Sequence, residues 1–272
     1  MGLKLLASVE EKSSRRREIV FLSELHQKVK RHVKRHRRGI LATLGISIGF
    51  LTFAYFGVSY GVLPETWRLF PQDKVEATEP VPRHSHTKEH LVGDPVNLKV
   101  AASEEDLRLA LSNAGWTTAD AIDIVSSLRL AFDTITGHAY VDAPMSNLFL
   151  FGHRQDLAYQ LATKQGPAKR HHVRFWLAPK NAAIGQPVWY GAATFDQGVG
   201  VSHNTGQVTH HIAADIDAER DEVMAVLTAH SGAHINWTDN FQADAAGKNG
   251  GGDHYYTDRR LAFVSLPSGQ TP

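Results

Sequence analysis

Twenty-five consecutive residues without a charged side chain, "GILATLGISIGFLTFAYFGVSYGVL" at 39 to 63, set the first constraint on this chain. At ~1.5 Å rise per residue a helix of that length extends about 37 Å, enough to cross a ~30 Å hydrocarbon core with some tilt. A buried core helix is the competing reading, but such helices are usually shorter and amphipathic. A cleaved signal peptide fits poorly. The apolar run is too long and begins too late, and "GVLPETWRLF" offers no clean small-x-small cleavage site. The sequence predicts a single transmembrane helix over 39–63.

The flanks set its direction. Residues 1–38 hold twelve Lys or Arg against four Glu, and "KVKRHVKRHRR" abuts the span. Of the 29 basic and 28 acidic residues in the chain, 17 and 24 then remain, so a net +1 overall conceals a net −7 after residue 38. The positive-inside rule predicts a cytoplasmic N-terminus and an extracytoplasmic C-terminal part, hence a single-pass protein of the inner (plasma) membrane. Tyr55, Tyr60 and Trp67 suit an interfacial aromatic belt at the far end. Phe21, Leu25, Val29 and Val33 recur every four residues within the basic block. That pattern reads as an amphipathic helix drawn to anionic lipid by about 1 kcal/mol per basic residue. Nucleic-acid binding is the other use of such a run; beside a membrane span, lipid is the partner expected and nucleic acid is not.

With no cysteine, the exported part cannot be stapled by disulfides and must bury a core of its own. A compartment of the bacterial-envelope kind fits. Residues 64–96 carry prolines at 64, 71, 80, 82 and 95 with little hydrophobic periodicity, and read as an extended linker. Within it His84, His86 and His90 stand close enough to bind a divalent metal weakly, but solvated linker is the preferred account of them.

The folded domain is expected over 97–268. "SEEDLRLALSNAGW" offers Ser103 as a helix N-cap, Asp106 three residues on and Gly115 as the stop. "TTADAIDIVSSLRLAFDTITG" predicts a second helix capped by Thr118. After "SNLFLFGHRQDLAYQ", with its turn at Gly152, come three strand candidates, "HHVRFWLA", "VWYGAATF" and "VTHHI". "DAERDEVMAVLTAH" predicts a helix capped by Asp217, and "HYYTDRRLAFVSL" a closing strand. The fold class expected is α+β: one transmembrane helix, then a mixed α/β globular extracytoplasmic domain.

"LFLFGHRQDLAYQ", "RHHVRFWL", "VWYGAATFDQGVGVS" and "THHIAADIDAERDEV", in this order, resemble the LssY C-terminal domain family. The resemblance covers roughly residues 98 to 266. Members of that family often carry the domain behind multi-span membrane portions of the DedA or lipid-phosphatase type, whereas this chain shows one span. The resemblance implies envelope placement and domain limits and supplies no mechanism.

Several motifs exclude chemistry. "GVG" at 198–200 has His203 where a dinucleotide loop needs its third glycine, and a tight hairpin turn accounts for it. Asp215, Asp217, Glu219 and Asp221 alternate as in a calcium loop, but Arg220 and Val226 stand where Gly and Glu are required. Their simpler use is to cap a helix and complement its positive end. His230 and His234 flank Gly232 without the HExxH glutamate, and no GxSxG elbow is present. Ser202 beside His203 is no triad signal, and no catalytic residue can be named.

The histidine pairs remain. Adjacent strand residues point to opposite faces. His171, in phase with Val173 and Phe175, and His210, in phase with Val208 and Ile212, are expected to face the core. His172 with Arg174, and His211, are expected on a polar face. That face predicts an anion site of His172, Arg174 and His211, or a metal site of His172, His211, Asp215 and Asp217 for a divalent ion such as zinc. A set of structural histidines is the third reading. Two functions stay open: a binding or accessory module for an envelope protein partner or an anionic headgroup, and a metal-assisted hydrolase acting on a phosphate-containing envelope substrate.

Overall fold

The basic run and the apolar run as far as Gly57 belong to one α-helix, α1 (Gly2–Gly57). The computed structural model describes residues 2–69, 81–119, 147–179, 185–204, 206–229 and 232–267. The chain divides into two compact units, Met1–Val58 and Ser59–Pro272. Within the first, Ile40, Phe50 and Phe53 are exposed, as side chains that face lipid must be. The helical segment His26–Thr66 is long and apolar enough to cross a membrane, its apolar 18-residue stretch having a mean hydropathy of 1.8. A π-helical turn at Val58–Val62 and a short helix α2 (Leu63–Leu69) follow.

The second unit is built on one large sheet. Its strands are β3 (Leu98–Ala101), β4 (Thr117–Thr118), β7 (Leu157–Thr163), β8 (Gly166–Leu177), β9 (Val188–Val201), β10 (Val208–Ile212), β11 (His234–Thr238) and β14 (Leu261–Ser265). They run in the order β11-β14-β3-β9-β8-β7-β4, with β10 also on β9. Every pairing is antiparallel except β14 with β3. A smaller sheet of β2 (Val92–Pro95), β1 (His84–His86), β5 (Phe149–Leu150) and β6 (His153–Arg154) and a hairpin of β12 (Ala246–Lys248) and β13 (His254–Tyr256) complete the strands. The coarse expectation of a mixed α+β fold behind one apolar helix holds.

Both faces of the large sheet are covered, and this positions everything that follows. Helices α3 (Glu104–Asn113) and α4 (Ile216–Thr228) lie against one face. There Leu107, Leu111, Val223 and Leu227 pack on Val173, Phe175 and Tyr159. On the other face Trp176, Tyr190 and Ala192 pack with Val96, Leu148 and Leu150. Each large apolar side chain buried this fully contributes roughly 1.5–3 kcal/mol. Asn97, buried, links the layers: it donates to the carbonyls of Ala193 and Ile216 and accepts from the Ala193 amide.

Ser103 caps α3 as the sequence predicts, accepting from the Asp106 amide at 3.0 Å. The cap of α4 is Asp215, not Asp217: its side chain accepts from the Ala218 amide. The helix begins earlier because Ile216 is buried and belongs to its apolar face. Thr118 lies in β4 and pairs with Tyr159; the rest of the predicted second helix, from residue 120, lies outside the described residues.

The expected turn at Gly198–Gly200 is strand, since both residues pair within the β9–β10 ladder and the chain reverses after Ser202. Residues 84–95, expected as linker, form β1 and β2, and Gly93 lies so close to Ser85 and Leu148 that a Cβ there would clash. The turn at Gly152 joins a hairpin, with Phe151 and Gly152 both at positive φ, as its two-residue connection requires.

Candidate functional site

β8 carries the alternation that places the candidate residues. His171, Val173 and Phe175 point to the helical layer, and His172, Arg174 and Trp176 to the other. His171 meets α4, where its Nδ1 lies 2.8 Å from the Glu219 carboxylate. That hydrogen bond raises the His171 pKa above its ordinary value, although partial burial opposes it. Glu219 is itself pushed up by burial, with His171 opposing.

The opposite face is polar and yet closed. His172 sits between Gln160 and Thr194 in the ladder and is only 3% exposed. Its Nδ1 is 2.9 Å from the Asp196 carboxylate, and His210 Nδ1 is 3.7 Å from the same oxygen. The His172 and His210 rings stand edge to face, 6.0 Å apart. Burial alone would raise the Asp196 pKa, but the charge and hydrogen bond of His172 outweigh it and leave it lowered. Burial lowers the His210 pKa, favouring neutral imidazole. One row along, Arg174 is paired with Asp94 of β2 at 2.7 Å, and Arg170 donates to Gln160 at 2.9 Å. Burial raises the Asp94 pKa, while Arg174 and a hydrogen bond from Asn249 resist it.

At the edge of this layer His211 Nδ1 lies 2.6 Å from Asp253 Oδ1, and the Ile212 amide donates to Asp253 Oδ2 at 3.1 Å. The His203 ring approaches that of His211 with centroids 5.6 Å apart. One ligand atom each from His203, His211 and Asp253 lie within 4.8 Å of one another. Asn204, the neighbour of His203, and Asn249, which accepts the Asp253 amide, both line a cleft of ≈ 520 Å³. His84, Asp244, Lys248 and Tyr255 line it too. There the Tyr255 hydroxyl is 2.6 Å from His84 Nε2. Burial, with Asp244 and Asp94 nearby, pushes the Tyr255 pKa up to about 12, so it stays a phenol. Burial and Arg83 lower that of His84.

The predicted anion set is therefore not a set of open cations. His172, Arg174 and His211 each have a carboxylate of their own: Asp196, Asp94 and Asp253. The predicted metal set is dispersed. Asp215 caps α4, and Asp217 accepts from Arg220, from the Thr257 hydroxyl and from the Asp258 amide. Arg220 in turn grips Asp258 and lies over the Trp237 ring. Burial would raise the Asp258 pKa, but Arg220 and Arg260 hold it at about 2. His172 and His211 lie on different carboxylates. Of the histidines in the former linker, His86 stacks on His90 and on Phe149.

His203 and Asp253 were not readable as partners. They lie fifty residues apart, and the only local signal was a carboxylate closing a run of three glycines, "NGGGD". A family model described as LssY C-terminus matches residues 78–261. No curated protein matches the chain, and no solved structure does.

Proposed function

The chain belongs to the LssY C-terminus family, and from that premise we propose that it is a single-pass inner-membrane protein whose extracytoplasmic domain binds the anionic headgroup of an envelope lipid or a ligand of the same chemistry. The cleft carries this reading. Lys248 supplies a positive charge there beside the Asp244 carboxylate, and Asn204, Asn249 and the Tyr255 hydroxyl supply hydrogen-bonding groups. Phosphate oxygens are met by such a mixture of one cation and several neutral donors. The basic block before the span supports the orientation by the positive-inside rule.

The experiment is a titration of the full chain in uncharged detergent with glycerol phosphate and with inorganic phosphate, read by thermal melting. Stabilisation by glycerol phosphate that Lys248→Gln abolishes is the expected result. An unshifted melt with either compound removes the headgroup reading. Metal-assisted hydrolysis of a phosphate-containing envelope substrate is the second reading, favoured by the two imidazoles and the carboxylate beside the cleft. Chelator-sensitive release of phosphate from a phosphomonoester would select it.

A further inference from the structure

We propose that His203, His211 and Asp253 form a site for one divalent cation of zinc-like character. The proposal goes beyond the headgroup reading and stands whether or not the cleft takes an anion.

Three separate segments deliver the ligands: the turn after β9, strand β10 and the loop between β12 and β13. That loop is built before any ion arrives. The Asn249 side chain accepts the amides of Gly251 and Asp253 at 3.0 and 2.9 Å, and the Gly252 amide returns to the Asn249 carbonyl. The His203 amide donates to the Gly251 carbonyl, which fixes the two backbones side by side. Gly252 has φ +87°, and a Cβ on it would lie 2.8 Å from the Cβ of His203, so only glycine lets the loop approach the histidine this closely.

Two of the three ligand groups are already held side by side. Asp253 spends Oδ2 on the Ile212 amide and turns Oδ1 to His211. The ring of His211 lies over Gly200, where any Cβ would come 2.3 Å from Nε2, so only glycine gives the ring this seat. Nδ1 and Oδ1 already stand 2.6 Å apart. Metal–ligand bonds of ~2.0–2.2 Å place tetrahedral ligands roughly 3.3 Å from one another, so the pair needs to open slightly. His203, exposed, closes the remaining gap by a rotamer change.

Two imidazoles and one carboxylate favour zinc and its borderline neighbours over magnesium or calcium, which take oxygen ligands. The exposed side of His203 leaves room for a water to complete the shell. Asn249, which orders the loop, also bonds Asp94, so the ligand loop is anchored to the buried Arg174–Asp94 pair.

The test is a zinc titration of the full chain, purified in detergent without a histidine tag and stripped by chelator, against a competing chromophoric chelator. The expected result is one tight zinc per chain. His203→Ala should weaken it more than about a hundredfold, beyond the ~10–100-fold typical of losing an outer partner, while the metal-free melt stays unchanged. His86→Ala with His90→Ala should leave the affinity intact. Tight zinc that survives in His203→Ala, or is lost with His86 and His90, overturns the site; so does equal competition by calcium. Asp253→Asn should fail like His203→Ala, and if it does not fold, His203→Ala decides alone. Zinc binding with no glycerol phosphate response supports this site and overturns only the headgroup reading.

Discussion

Replacing Arg174 by Met tests whether the polar face of the large sheet is an interior or a ligand surface. Arg174 and Asp94 are paired at 2.7 Å with side chains only 7% and 10% exposed. Removing one partner of a buried ion pair strands the other charge, at a cost of about 3–5 kcal/mol. Asn249 still bonds Asp94 in the variant, which places the expectation near the lower end. For a domain of this size each kcal/mol moves the melting temperature by roughly 2–4 °C, so Arg174→Met should melt about 6–12 °C below the wild type at pH 7.5. Adding Asp94→Leu should recover most of the loss, because an apolar pair of similar volume is often neutral in place of a buried salt bridge.

The pH dependence has a defined sign. Burial holds the Asp94 pKa above its ordinary value, so the folded state keeps that proton more tightly than the unfolded chain does. Without Arg174 it rises further. The deficit should therefore be largest above the raised value and shrink as pH falls toward about 4, the ordinary carboxylate value. The assay is thermal melting of the full chain in detergent from pH 8 to 5. A variant that melts within about 2 °C of the wild type, or a deficit independent of pH, would refute the reasoning and reopen Arg174 as an anion ligand.

Three further outcomes follow from the same geometry. His172→Ala should destabilise the domain by about 1–3 kcal/mol in chemical denaturation, because Asp196 loses its 2.9 Å partner and is left with His210 at 3.7 Å and the charge of Arg174; a silent substitution would mean this face is wet. His171→Gln should cost more at pH 6 than at pH 8.5. The raised His171 pKa stabilises the fold below the unfolded value of ~6.5, and this contribution is lost as pH rises through the folded one; melting curves at the two pH values that show equal deficits would contradict the Glu219 pairing. Gly200→Ala should displace the His211 ring and weaken zinc at least tenfold, measured by chelator competition, while unaltered affinity would show that the ring does not need this seat.

The apolar span, the basic flank and the cap at Ser103 were legible because each is a local pattern, readable within one or two helical turns. β7 was less so: "LAYQLAT" begins after polar residues and carries only weak alternation. β1 and β2 were hidden by Pro82, Pro95 and three histidines, composition that reads as tether. They are strands because tertiary pairing with each other and with β5 supplies what propensity does not. The phase of β8 was read correctly, with His171 beside Val173 and Phe175. Alternation tells which residues share a face and not whether the second face is wet. A mostly antiparallel sheet can leave one face to solvent; here a second layer covers it, and His172 and Arg174 become interior.

That second layer explains why charge and histidine converge at one end of the sheet. A buried face that carries Arg170, His172 and Arg174 must be matched by carboxylates, and the structure brings Asp196 from β9 and Asp94 from β2. Asp94 lies in the stretch first expected to be linker, so the chain between span and domain supplies part of the interior polar network. Through Asn249 that network reaches the glycine loop and Asp253. Disturbing Asp94 should therefore loosen two features at once: the core under the polar face and the aim of Asp253 at His211. A double-mutant cycle between Arg174→Met and His203→Ala separates these effects. Stability costs should add, since His203 is exposed whereas Arg174 is buried in another part of the domain. Zinc affinity should fall in Arg174→Met alone by less than in His203→Ala, and by nothing further once His203 is gone. A full additional loss in the double variant would mean that the ion, wherever it binds, is not held by His203, His211 and Asp253.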